Sequence, residues 1–600
     1  MCRIAGIIDQ HTMPSEALIL QMRDAMQHGG PDDAGVYIDA ERNLALGHRR
    51  LSLIDLSPLG HQPMTDAGND IVLIFNGEIY NYQEIREELL AKGYHFKSAS
   101  DTEVIIYAYK EWGTDCFRRC NGMFALALLD KRSNRIILAR DHAGIKPLYY
   151  SLQNGKLYFA SETRAFKSIV PGWPENADWK KYFLLFGHLP EPVTTLQGVY
   201  PLPKGSFLSL QLDTWEHTQE TFDRFYYQYT IYKEEEALPL LRQTLRKAVE
   251  RHLISDAPIG LFLSGGIDSS LLTLLAKPYV GDQLKTLSIV FDNDKFSEKR
   301  YQDIIIKATG AHHQSFLVTE EDFKQSIPDI IKAMDQPSND GINSYFICKY
   351  ARQYGLTAVL SGLGADELFG GYQSFNRTRA VQRIQWLPDF MFAAAKLFPD
   401  DRRKKINFLQ MEDALGEYLF NRGFFIPAQV AQLLDCTEEE VWKVMEEAML
   451  PVFTQKLLPT ERVSYMETNL YMQNQLLKDT DYMSMWHSLE VRVPFLDKEL
   501  MRLVYAIVPE LRYDAIQVKH LLIKAFKEEL PAAIWNRPKQ GFVFPFETWM
   551  QQIGTYSVNP TVQQQVALLH KGLLNGNIHW SRYWCYLLSQ REGVKISDEL

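Results

Sequence analysis

A loop rich in glycine and serine in the middle of the chain is the feature that most restricts the fold. It follows an apolar segment, 259–263, and reads Ser264-Gly265-Gly266-Ile267-Asp268-Ser269-Ser270, after which helical spacing begins. Glycine N–H groups, serine hydroxyls and the positive end of a helix dipole together favour a bound anion. A plain serine–glycine turn is the alternative, but the order strand, loop, helix favours a phosphate site.

Short apolar strands alternate with helices through the middle of the chain. Helical spacing covers residues 240–253, and Pro239 just before it suits a helix start. The strand-like segments are 259–263, 286–291, 315–318 and 357–360. This alternation predicts an α/β domain with a parallel sheet. After about Ser374 the pattern is nearly all helical, which predicts a helical C-terminal extension.

The first third of the chain has another pattern, with many strands and two early helices. Residues 71–75 form an apolar strand that stops at Asn76-Gly77, a dipeptide typical of hairpin turns. Strand after strand with few helices predicts packed sheets in an α+β domain. A stretch rich in Pro, Gly, Tyr and Thr, 190–230, contains the boundary. We therefore divide the chain into a first domain at 1–205, a linker at 206–233 and a second domain at 234–600.

Charge and composition restrict the classes of partner. The formal net charge is -10, which argues against a nucleic-acid binder. No apolar run approaches the length of a membrane span, and the start is too short an apolar stretch for a signal peptide. The six cysteines are sparse and form no Cys-x-x-Cys pair, so neither disulfides nor a zinc site are expected. A cytoplasmic protein that binds neither nucleic acid nor membrane fits these observations.

The cysteine at position 2 can act as a nucleophile. Removal of Met1 would leave Cys2 as the amino terminus. A thiol with a pKa of about 8.5 needs a base at neutral pH. The α-amino group of the same residue, which titrates near about 8, can take the thiol proton. A second-position cysteine is usually silent, so this interpretation depends on the motifs that follow.

Three further motifs follow Cys2 in the first third of the chain. They are Arg50 with Leu51-Ser52-Leu53-Ile54-Asp55, then Asn76-Gly77-Glu78-Ile79-Tyr80-Asn81, then Ser100-Asp101-Thr102-Glu103. In order and spacing they resemble the glutaminase domain of class II amidotransferases. The resemblance implies the four-layer αββα fold of the N-terminal-nucleophile glutaminases.

The same resemblance implies a role for each residue. Cys2 is then the nucleophile, Arg50 grips the glutamine carboxylate, and Asp101 pairs with the glutamine ammonium group. Asn76 and Gly77 donate to the oxyanion of the tetrahedral intermediate. Glu78 lines the same pocket. An ordinary hairpin turn remains the alternative for the Asn76-Gly77 dipeptide.

The glycine–serine loop resembles the pyrophosphate loop of the ATP-pyrophosphatase superfamily, which cleaves ATP between its α and β phosphates. The chain has no Walker motif. A second loop, Ser361-Gly362-Leu363-Gly364-Ala365-Asp366, follows another predicted strand, and ligands gather at the carboxyl ends of such strands. Asp268 and Asp366 would then converge as Mg²⁺ ligands beside the triphosphate. Taken singly, either aspartate is more often a turn or cap residue.

Motifs near the C-terminus extend the resemblance to nearly the whole chain. They are Asp481-Tyr482-Met483-Ser484-Met485, then Ser488-Leu489-Glu490-Val491-Arg492-Val493-Pro494-Phe495-Leu496-Asp497, then Arg537-Pro538-Lys539-Gln540-Gly541. Together they resemble the glutamine-hydrolysing asparagine synthetases. The family implies that Lys539 holds the acyl-adenylate and phosphates, whereas a surface lysine is the alternative. The nucleotide contacts that it implies are Leu263, Ser264, Gly265, Gly266, Asp268, Ser269, Ser270, Ile289, Ser361 and Gly362.

The resemblance implies that ATP activates a carboxylate, with glutamine as the ammonia donor. Aspartate is the expected acceptor and asparagine the product, and family members are often homodimers. Leu363 departs from the acid of many relatives, and Asp479 and Tyr482 stand where others carry Lys and Arg. The segment 335–343 is expected to shape the acceptor pocket. A different acceptor, such as a sugar acid, a peptide or a secondary metabolite, is therefore the alternative.

Three other classes fit the sequence less well. A cyclase like the β-lactam synthetases uses an internal amine and usually lacks the nucleophilic cysteine, whereas here Cys2 is accompanied by Arg50 and Asp101. A non-catalytic relative need not retain motifs at both ends. A sugar-phosphate amidotransferase shares the glutaminase half, but the pyrophosphate loop disfavours it.

Overall fold

The structure is a computed structural model of the 600-residue chain. It describes residues 2–170, 172–292, 298–384, 387–398, 400–411, 414–448, 457–537, 544–552, 555–557, 560–590 and 594–596. Two units follow one another along the chain, the first built on antiparallel sheets and the second on a parallel sheet.

The first unit contains two antiparallel sheets of six strands each. The strands are β1 Arg3–Asp9, β2 Asp33–Asp39, β3 Leu44–Arg50, β4 Met64–Thr65, β5 Ile71–Ile79, β6 Gly122–Asp130, β7 Arg135–Arg140, β8 Tyr149–Gln153, β9 Lys156–Ala160, β10 Tyr200–Pro201, β11 Ser206–Gln211 and β12 His217–Thr221. The strand orders are β10-β8-β9-β1-β3-β2 in the first sheet and β12-β11-β7-β6-β5-β4 in the second.

Helices cover the outer face of each sheet. They are α1 Glu16–Asp24, α2 Tyr82–Ala91, α3 Asp101–Trp112, α4 Cys116–Arg119 and α5 Arg164–Ile169. The next helix, α6 Trp179–Phe186, instead packs among residues of the second unit. Successive strand residues point to opposite faces, so Ile4 joins the core between the sheets whereas Ala5 packs with Ile19 of α1. On the other side, Ile105 of α3 packs against Leu73 of β5. This arrangement of four layers confirms the predicted αββα fold.

Strand β5 does not end where the sequence predicted. It continues through Asn76 and Gly77 to Ile79, because β6 pairs with it along its whole length and Gly77 lies opposite Phe124. The prediction that the strand stops at residue 75, and the alternative of a hairpin turn, are therefore wrong. Pairing with a distant strand overrides the local preference of the dipeptide for a turn.

The predicted linker contains two strands of the second sheet. β11 pairs with β7 from Ser206, opposite Arg140, to Gln211, opposite Arg135, and β12 pairs with β11. The predicted boundary between 205 and 206 therefore lies inside the first unit. A ladder between strands that are far apart in sequence leaves little trace in local composition, which is why the linker was placed too early.

The second unit is built on five parallel strands. They are β13 Ile259–Phe262, β14 Lys285–Val290, β15 His312–Leu317, β16 Ala358–Leu360 and β17 Glu490–Arg492, in the order β15-β14-β13-β16-β17. Its helices are α7 Glu234–His252, α8 Ile267–Val280, α9 Lys299–Thr309, α10 Glu320–Ala333, α11 Ile342–Gln353 and α12 Ala365–Phe369. The parallel sheet confirms the predicted α/β class. Pro239 lies inside α7 and does not mark its start.

The C-terminal extension is helical, as predicted. Its helices are α13 Ser374–Val381, α14 Asp389–Ala394, α15 Asp401–Lys404, α16 Ala414–Arg422, α17 Pro427–Leu434, α18 Glu438–Glu446, α19 Pro459–Met466, α20 Leu477–Trp486, α21 Lys498–Ala506, α22 Pro509–Arg512, α23 His520–Ala525, α24 Ala532–Trp535, α25 Phe546–Trp549, α26 Pro560–Leu574 and α27 Trp580–Ser589. A π-helix, Glu467–Leu476, joins α19 to α20, and β18 Thr555–Ser557 pairs with β19 Val594–Ile596. Within the described ranges, no helix is both long and apolar enough to cross a membrane.

Buried ion pairs join the two units. Asp481 of α20 accepts hydrogen bonds from Arg3 Nη1 and Lys146 Nζ, each at 2.8 Å. Arg3 also pairs with Glu162 at 2.7 Å. The side chains of Asp481, Arg3 and Lys146 are all at most 2% exposed. A buried charge is tolerated only beside a partner, so these contacts fix the relative position of the two units.

We predict that Asp481→Asn destabilises the whole chain. The substitution keeps the shape of the side chain but leaves two buried cations beside a neutral amide, which should cost about 3 kcal/mol. Denaturant unfolding measures the loss. Asp282→Asn is the matched control, because Asp282 is 98% exposed in its pair with Lys277 and should change stability little. Equal effects of the two substitutions would contradict the prediction.

Candidate active site

A small pocket in the first unit brings together most of the predicted glutamine-binding residues. It lies where the start of β1, the end of β3, the middle of β5 and the start of α3 meet. Its lining includes Cys2, Arg50, Gly77, Glu78 and Asp101. Residues that are up to 99 positions apart in sequence thus share one site, because both sheets contribute a strand to it.

The guanidinium of Arg50 is held in place by backbone carbonyl groups. Its nitrogens donate to the carbonyl oxygens of Ser57 at 3.2 Å and Asp55 at 2.5 Å. Gly60 leaves space for this guanidinium, because a Cβ atom at position 60 would lie 1.9 Å from Arg50 Nη2. Gly60 was not predicted as a site residue, and the turn-like Ser57-Pro58-Leu59-Gly60 segment is the one sequence signal that points to it.

Asn76 presents a hydrogen-bond donor beside Cys2, and Gly77 follows it in the strand. The Cys2 backbone nitrogen donates to Asn76 Oδ1 at 3.2 Å, which orients the amide. Asn76 Nδ2 is buried and has no hydrogen-bond partner. A Cβ atom on Gly77 would lie 2.1 Å from the Met123 carbonyl oxygen, so only glycine fits there. A buried amide that lacks an acceptor suits an oxyanion that forms only during the reaction.

Two carboxyl groups face the same pocket. Asp101 is the first residue of α3, and its Oδ2 accepts from Ile79 N at 3.0 Å. Burial raises the pKa of Asp101 to about 6. Burial also raises the pKa of Glu78 well above its usual range, and Glu78 Oε2 has no hydrogen-bond partner. A cation that enters the pocket therefore stabilises the charged form of both carboxyl groups.

Burial raises the pKa of the Cys2 thiol, and the positive charge of Arg50 opposes that shift. The thiol is therefore mostly protonated at neutral pH without a base. A base within reach of Sγ is needed before it can attack a carbonyl carbon.

A larger cavity of about 530 Å³ opens at the carboxyl ends of β13, β14 and β16. The predicted nucleotide residues that line it are Leu263, Ser264, Gly266, Asp268, Ser269, Ile289, Ser361 and Gly362. Gly265 and Ser270 are not part of the lining. Gly265 packs toward Tyr301, and Ser270 is fully buried. Lys539 lies outside the described residues.

Hydrogen bonds within the glycine–serine loop fix its shape. Ser264 Oγ lies 3.0 Å from Ser269 Oγ, and it accepts from Gly266 N at 3.3 Å. Ser264 N donates to Ser269 Oγ at 3.1 Å. The loop leads into α8, whose first turn supplies the positive end of a helix dipole. This preformed loop can bind phosphate oxygens with little rearrangement.

Lys519 lies between the two aspartates that were predicted to bind Mg²⁺. Its Nζ contacts Asp366 Oδ1 at 2.6 Å and pairs with Asp268 Oδ2. The two carboxylates thus converge on a single cation, so their oxygens fit the hard donor set that Mg²⁺ prefers. Within the described ranges, no group of three or more His, Cys, Asp or Glu side chains forms a metal cage. Lys519 belongs to none of the motifs recognised in the sequence, so it was not predicted as a site residue.

Arg537 adds a second cation to this cavity. Its Nη2 donates to the Gly265 carbonyl at 3.0 Å and to Glu298 at 2.7 Å. The guanidinium also stacks on Tyr301 at 3.7 Å from the ring centre. Arg537 therefore holds the glycine–serine loop from behind and adds positive charge near the expected phosphates.

The segment 335–343, which was expected to shape an acceptor pocket, borders the same cavity. Asp340, Gly341 and Asn343 line it, together with Leu363 and Asp479. Tyr482 does not line it. The Tyr482 hydroxyl instead lies 2.5 Å from the Tyr149 hydroxyl in the interface between the units.

One buried side chain connects the two cavities. Arg492 of β17 lies 3.6 Å from Glu78 Oε1 in the smaller pocket and pairs with Glu490 at 2.5 Å. Its Nη1 donates to the His252 carbonyl at 2.8 Å. Its own carbonyl accepts from Ser361 N at 2.8 Å, at the edge of the larger cavity. The two sites are therefore neighbours across a continuous buried network.

Known proteins share both halves of this arrangement. The family described as "Glutamine amidotransferase domain" matches residues 1–226, and the family "Asparagine synthase" matches residues 240–575. The glutamine-hydrolyzing asparagine synthetase 1 of Bacillus subtilis (strain 168) is 32% identical over 95% of this chain and 92% of its own length. Amidase chry2 of Gibberella zeae is 27% identical over 88% of this chain and 84% of its own. The glutamine phosphoribosylpyrophosphate amidotransferase of B. subtilis, solved with ADP and GMP, aligns over 60% of this chain and 80% of its own at 16% identity and a TM-score of 0.29, which is too low to support an argument.

We predict that glutamine hydrolysis weakens in acid because Asp101 becomes protonated. Its pKa of about 6 means that the charged form is lost as the pH falls through that value, and with it the partner for the glutamine ammonium group. The α-amino group of Cys2 already loses its base form below about 8, which lowers kcat/KM about tenfold per pH unit in any variant. Below 6 the loss of charged Asp101 should steepen the fall for the unsubstituted chain to about 100-fold per unit. Glutamate release measured across this range tests the prediction. Asp101→Asn should be slow and should keep the tenfold slope throughout; a second steepening near 6 in this variant would contradict the assignment.

We predict that Lys519→Ala abolishes the reaction of the larger cavity alone. Without the ammonium group, two carboxylates repel the triphosphate, so AMP formation should fall about 100-fold or more. Glutamate release, which depends on the other pocket, should persist. Lys519→Arg keeps the charge and should recover part of the rate. Loss of both activities in a folded Lys519→Ala protein would show that Lys519 does not act locally.

Proposed function

The chain belongs to the asparagine synthase family, and we propose that it forms a primary amide from a carboxylate with ATP and glutamine. The observation that carries the proposal is the presence of two complementary sites in one buried body. The first presents a thiol beside an unpartnered amide donor. The second presents a phosphate-type loop with Lys519 over two aspartates.

The first pocket supplies ammonia. Once Met1 is removed, the α-amino group of Cys2 takes the thiol proton, and the thiolate attacks the glutamine side-chain amide. Asn76 Nδ2 and the Gly77 N–H donate to the oxyanion. Arg50 and Asp101 hold the carboxylate and ammonium groups of glutamine. Ammonia leaves, a thioester remains on Cys2, and water releases glutamate.

The larger cavity activates the acceptor. A carboxylate oxygen attacks the α-phosphorus of ATP, and pyrophosphate leaves, which gives an acyl-adenylate. The glycine–serine loop and Lys519 bind the phosphate oxygens, and Lys539 is expected to join them. Asp268 and Asp366 would hold Mg²⁺, which when bound offsets the charge of the departing pyrophosphate.

Ammonia then reaches the adenylate through the interior of the protein. A single apolar cluster includes Leu51, which follows Arg50, Met123, which packs on Gly77, and Leu263 and Leu360, which precede the two nucleotide loops. An apolar interior keeps ammonia unprotonated and keeps water from the adenylate. Ammonia displaces AMP and leaves the amide.

Aspartate is the first acceptor to consider, because relatives such as that of Bacillus subtilis (strain 168) are named asparagine synthetases. A different carboxylate is the second candidate. Leu363 and the acidic residues Asp340 and Asp479 line the acceptor side of the cavity and favour this alternative. Relatives that are named amidases lie within the same family.

The test follows AMP, pyrophosphate and asparagine together when the protein is incubated with MgATP, glutamine and aspartate. We expect AMP and pyrophosphate in equal amounts, with asparagine if aspartate is the acceptor. Cys2→Ala should stop glutamate release. This variant should form the amide only when ammonium salt replaces glutamine as the source of ammonia.

Two outcomes separate the parts of the proposal. Glutamate release without AMP from aspartate would remove aspartate as the acceptor but leave the glutaminase half. A Cys2→Ala protein that still uses glutamine would overturn the assignment of the nucleophile.

A further inference from the structure

The side of the larger cavity away from the glycine–serine loop is acidic. Asp340, Glu367 and Asp479 border it, and Leu363 and Leu476 provide apolar surface between them. Among the described residues of the lining, the cations are Lys519 and Arg537. Both already contact acids, Lys519 at Asp268 and Asp366 and Arg537 at Glu298. The acceptor side thus has no cation of its own among these residues.

The backbone brings the two aspartates together. Gly341 has φ +91°, and a Cβ atom there would lie 3.4 Å from Asp479 Cβ and 3.0 Å from Met483 Cε. The absence of a side chain at 341 lets this segment rest on α20, which places Asp340 beside Asp479. Ser338 Oγ donates to Asp479 Oδ2 at 2.7 Å and fixes its rotamer.

Two basic residues outside the lining act on the aspartates by charge, Lys478 on Asp479 and Arg422 on Asp340, but both have closer partners. Lys478 donates to the Leu189 carbonyl at 3.3 Å and lies 3.8 Å from Glu191. Arg422 pairs with Glu467 at 2.9 Å and stacks on Tyr471 at 3.7 Å from the ring centre. Neither basic side chain has an ion pair with Asp340 or Asp479 in the described part of the chain.

The pKa values of Asp340 and Asp479 are both raised in this acidic, buried setting. Burial and the charge of Asp340 raise the pKa of Asp479 well above its usual range. Burial also raises the pKa of Asp340. Independently of this pair, Glu367 is 1% exposed, borders the cavity, and has its Oε2 atom buried without a hydrogen-bond partner. Asp340 accepts from Gly341 N and Asp479 accepts from Ser338 Oγ, and both donors are neutral. Two adjacent carboxyl groups with neutral donors, and a buried acceptor without a donor at Glu367 Oε2, favour a ligand that brings donors and positive charge.

We propose that Asp340 and Asp479 bind a protonated amino group of the acceptor, and that this side of the cavity has no place for a second free carboxylate. The inference rests on the proposed amidation. An ammonium group carries three N–H donors and a positive charge, which match carboxylate oxygens, whereas Leu363 and Leu476 suit the carbon chain between the two ends.

The acceptor class is therefore an amino-bearing carboxylic acid whose other acid groups are absent or masked as amides. Free aspartate has the amino group but also carries a second carboxylate. That α-carboxylate would face acids, and the described residues of the lining offer it no cation that is not already paired with an acid. Repulsion of this kind discriminates between ligands as effectively as attraction does.

Three small acceptors that differ by one group test the inference. They are aspartate, its α-amide, which keeps the ammonium but neutralises the second carboxylate, and succinate, which keeps both carboxylates but lacks the ammonium. AMP release is measured with MgATP and saturating ammonium salt, so that the glutaminase pocket does not enter. We expect kcat/KM to be highest for the α-amide, at least about tenfold lower for aspartate, and lowest for succinate.

Substitutions that remove one charge at Asp340 or Asp479, and a control substitution elsewhere, test whether these two carboxylates recognise the ammonium group. Asp340→Asn and Asp479→Asn should each lower kcat/KM for the α-amide about tenfold or more and change the value for succinate less than about threefold. Asp282→Asn, on an exposed side chain, is the control for both. Glutamate release from glutamine reports folding in every preparation, and the comparison of acceptors in the unsubstituted chain requires no variant.

The outcomes separate this inference from the proposed function. Equal rates for the three acceptors, or the highest rate for succinate, would overturn the ammonium site and leave the amidation reaction standing. If none of the three releases AMP from a protein that hydrolyses glutamine, the ammonium site is overturned for small amino acids, and the proposed amidation then stands only for its second candidate, a different carboxylate. An equal loss for all acceptors in both Asn variants would indicate a structural role for the cluster and would also overturn the inference.

Discussion

The buried guanidinium of Arg492 is the interaction on which both cavities depend. It neutralises Glu490, lies 3.6 Å from Glu78 in the glutamine pocket, and donates to the His252 carbonyl. Its backbone accepts from Ser361 at the edge of the nucleotide cavity. A charge that is removed from water must find partners on every side, so a single residue ties a strand of one unit to the pocket of the other. The distance between the two sites is therefore set by packing and by fixed hydrogen bonds.

The two cavities distribute charge differently. The smaller pocket gathers one cation, Arg50, and two acids, Glu78 and Asp101, around one site, which suits a zwitterion with both charges at one end. In the larger cavity, Lys519 and Arg537 each contact an acid, whereas Asp340 and Asp479 have no ion pair among the described residues. In the proposed assignment the phosphates meet the paired cations and the ammonium group meets the two aspartates.

The sequence was sufficient for features that depend on local order, and insufficient for those that depend on contacts across the chain. The glycine–serine loop could be placed because strand, loop and helix are contiguous. The strand through Asn76 and Gly77 was misjudged, since its pairing with β6 is invisible in a local window. Lys519 was missed because it meets Asp268 across 251 positions. Gly60 was missed because its role is to leave space, which a sequence does not display.

The position of Asn76 and Gly77, the proposed oxyanion donors, within β5 has a consequence for how the site moves. Asn76 and Gly77 lie inside a nine-residue strand that is paired with β6 along its length, and every residue of the strand is buried. Groups in such a strand exchange with solvent only when the sheet itself opens, whereas groups on a loop fluctuate locally. We therefore expect this part of the pocket to unfold together with the sheet and not in a separate local transition. Heat should abolish its activity in the same cooperative step that unfolds the sandwich, and hydrogen exchange at these amides should report the stability of the whole unit.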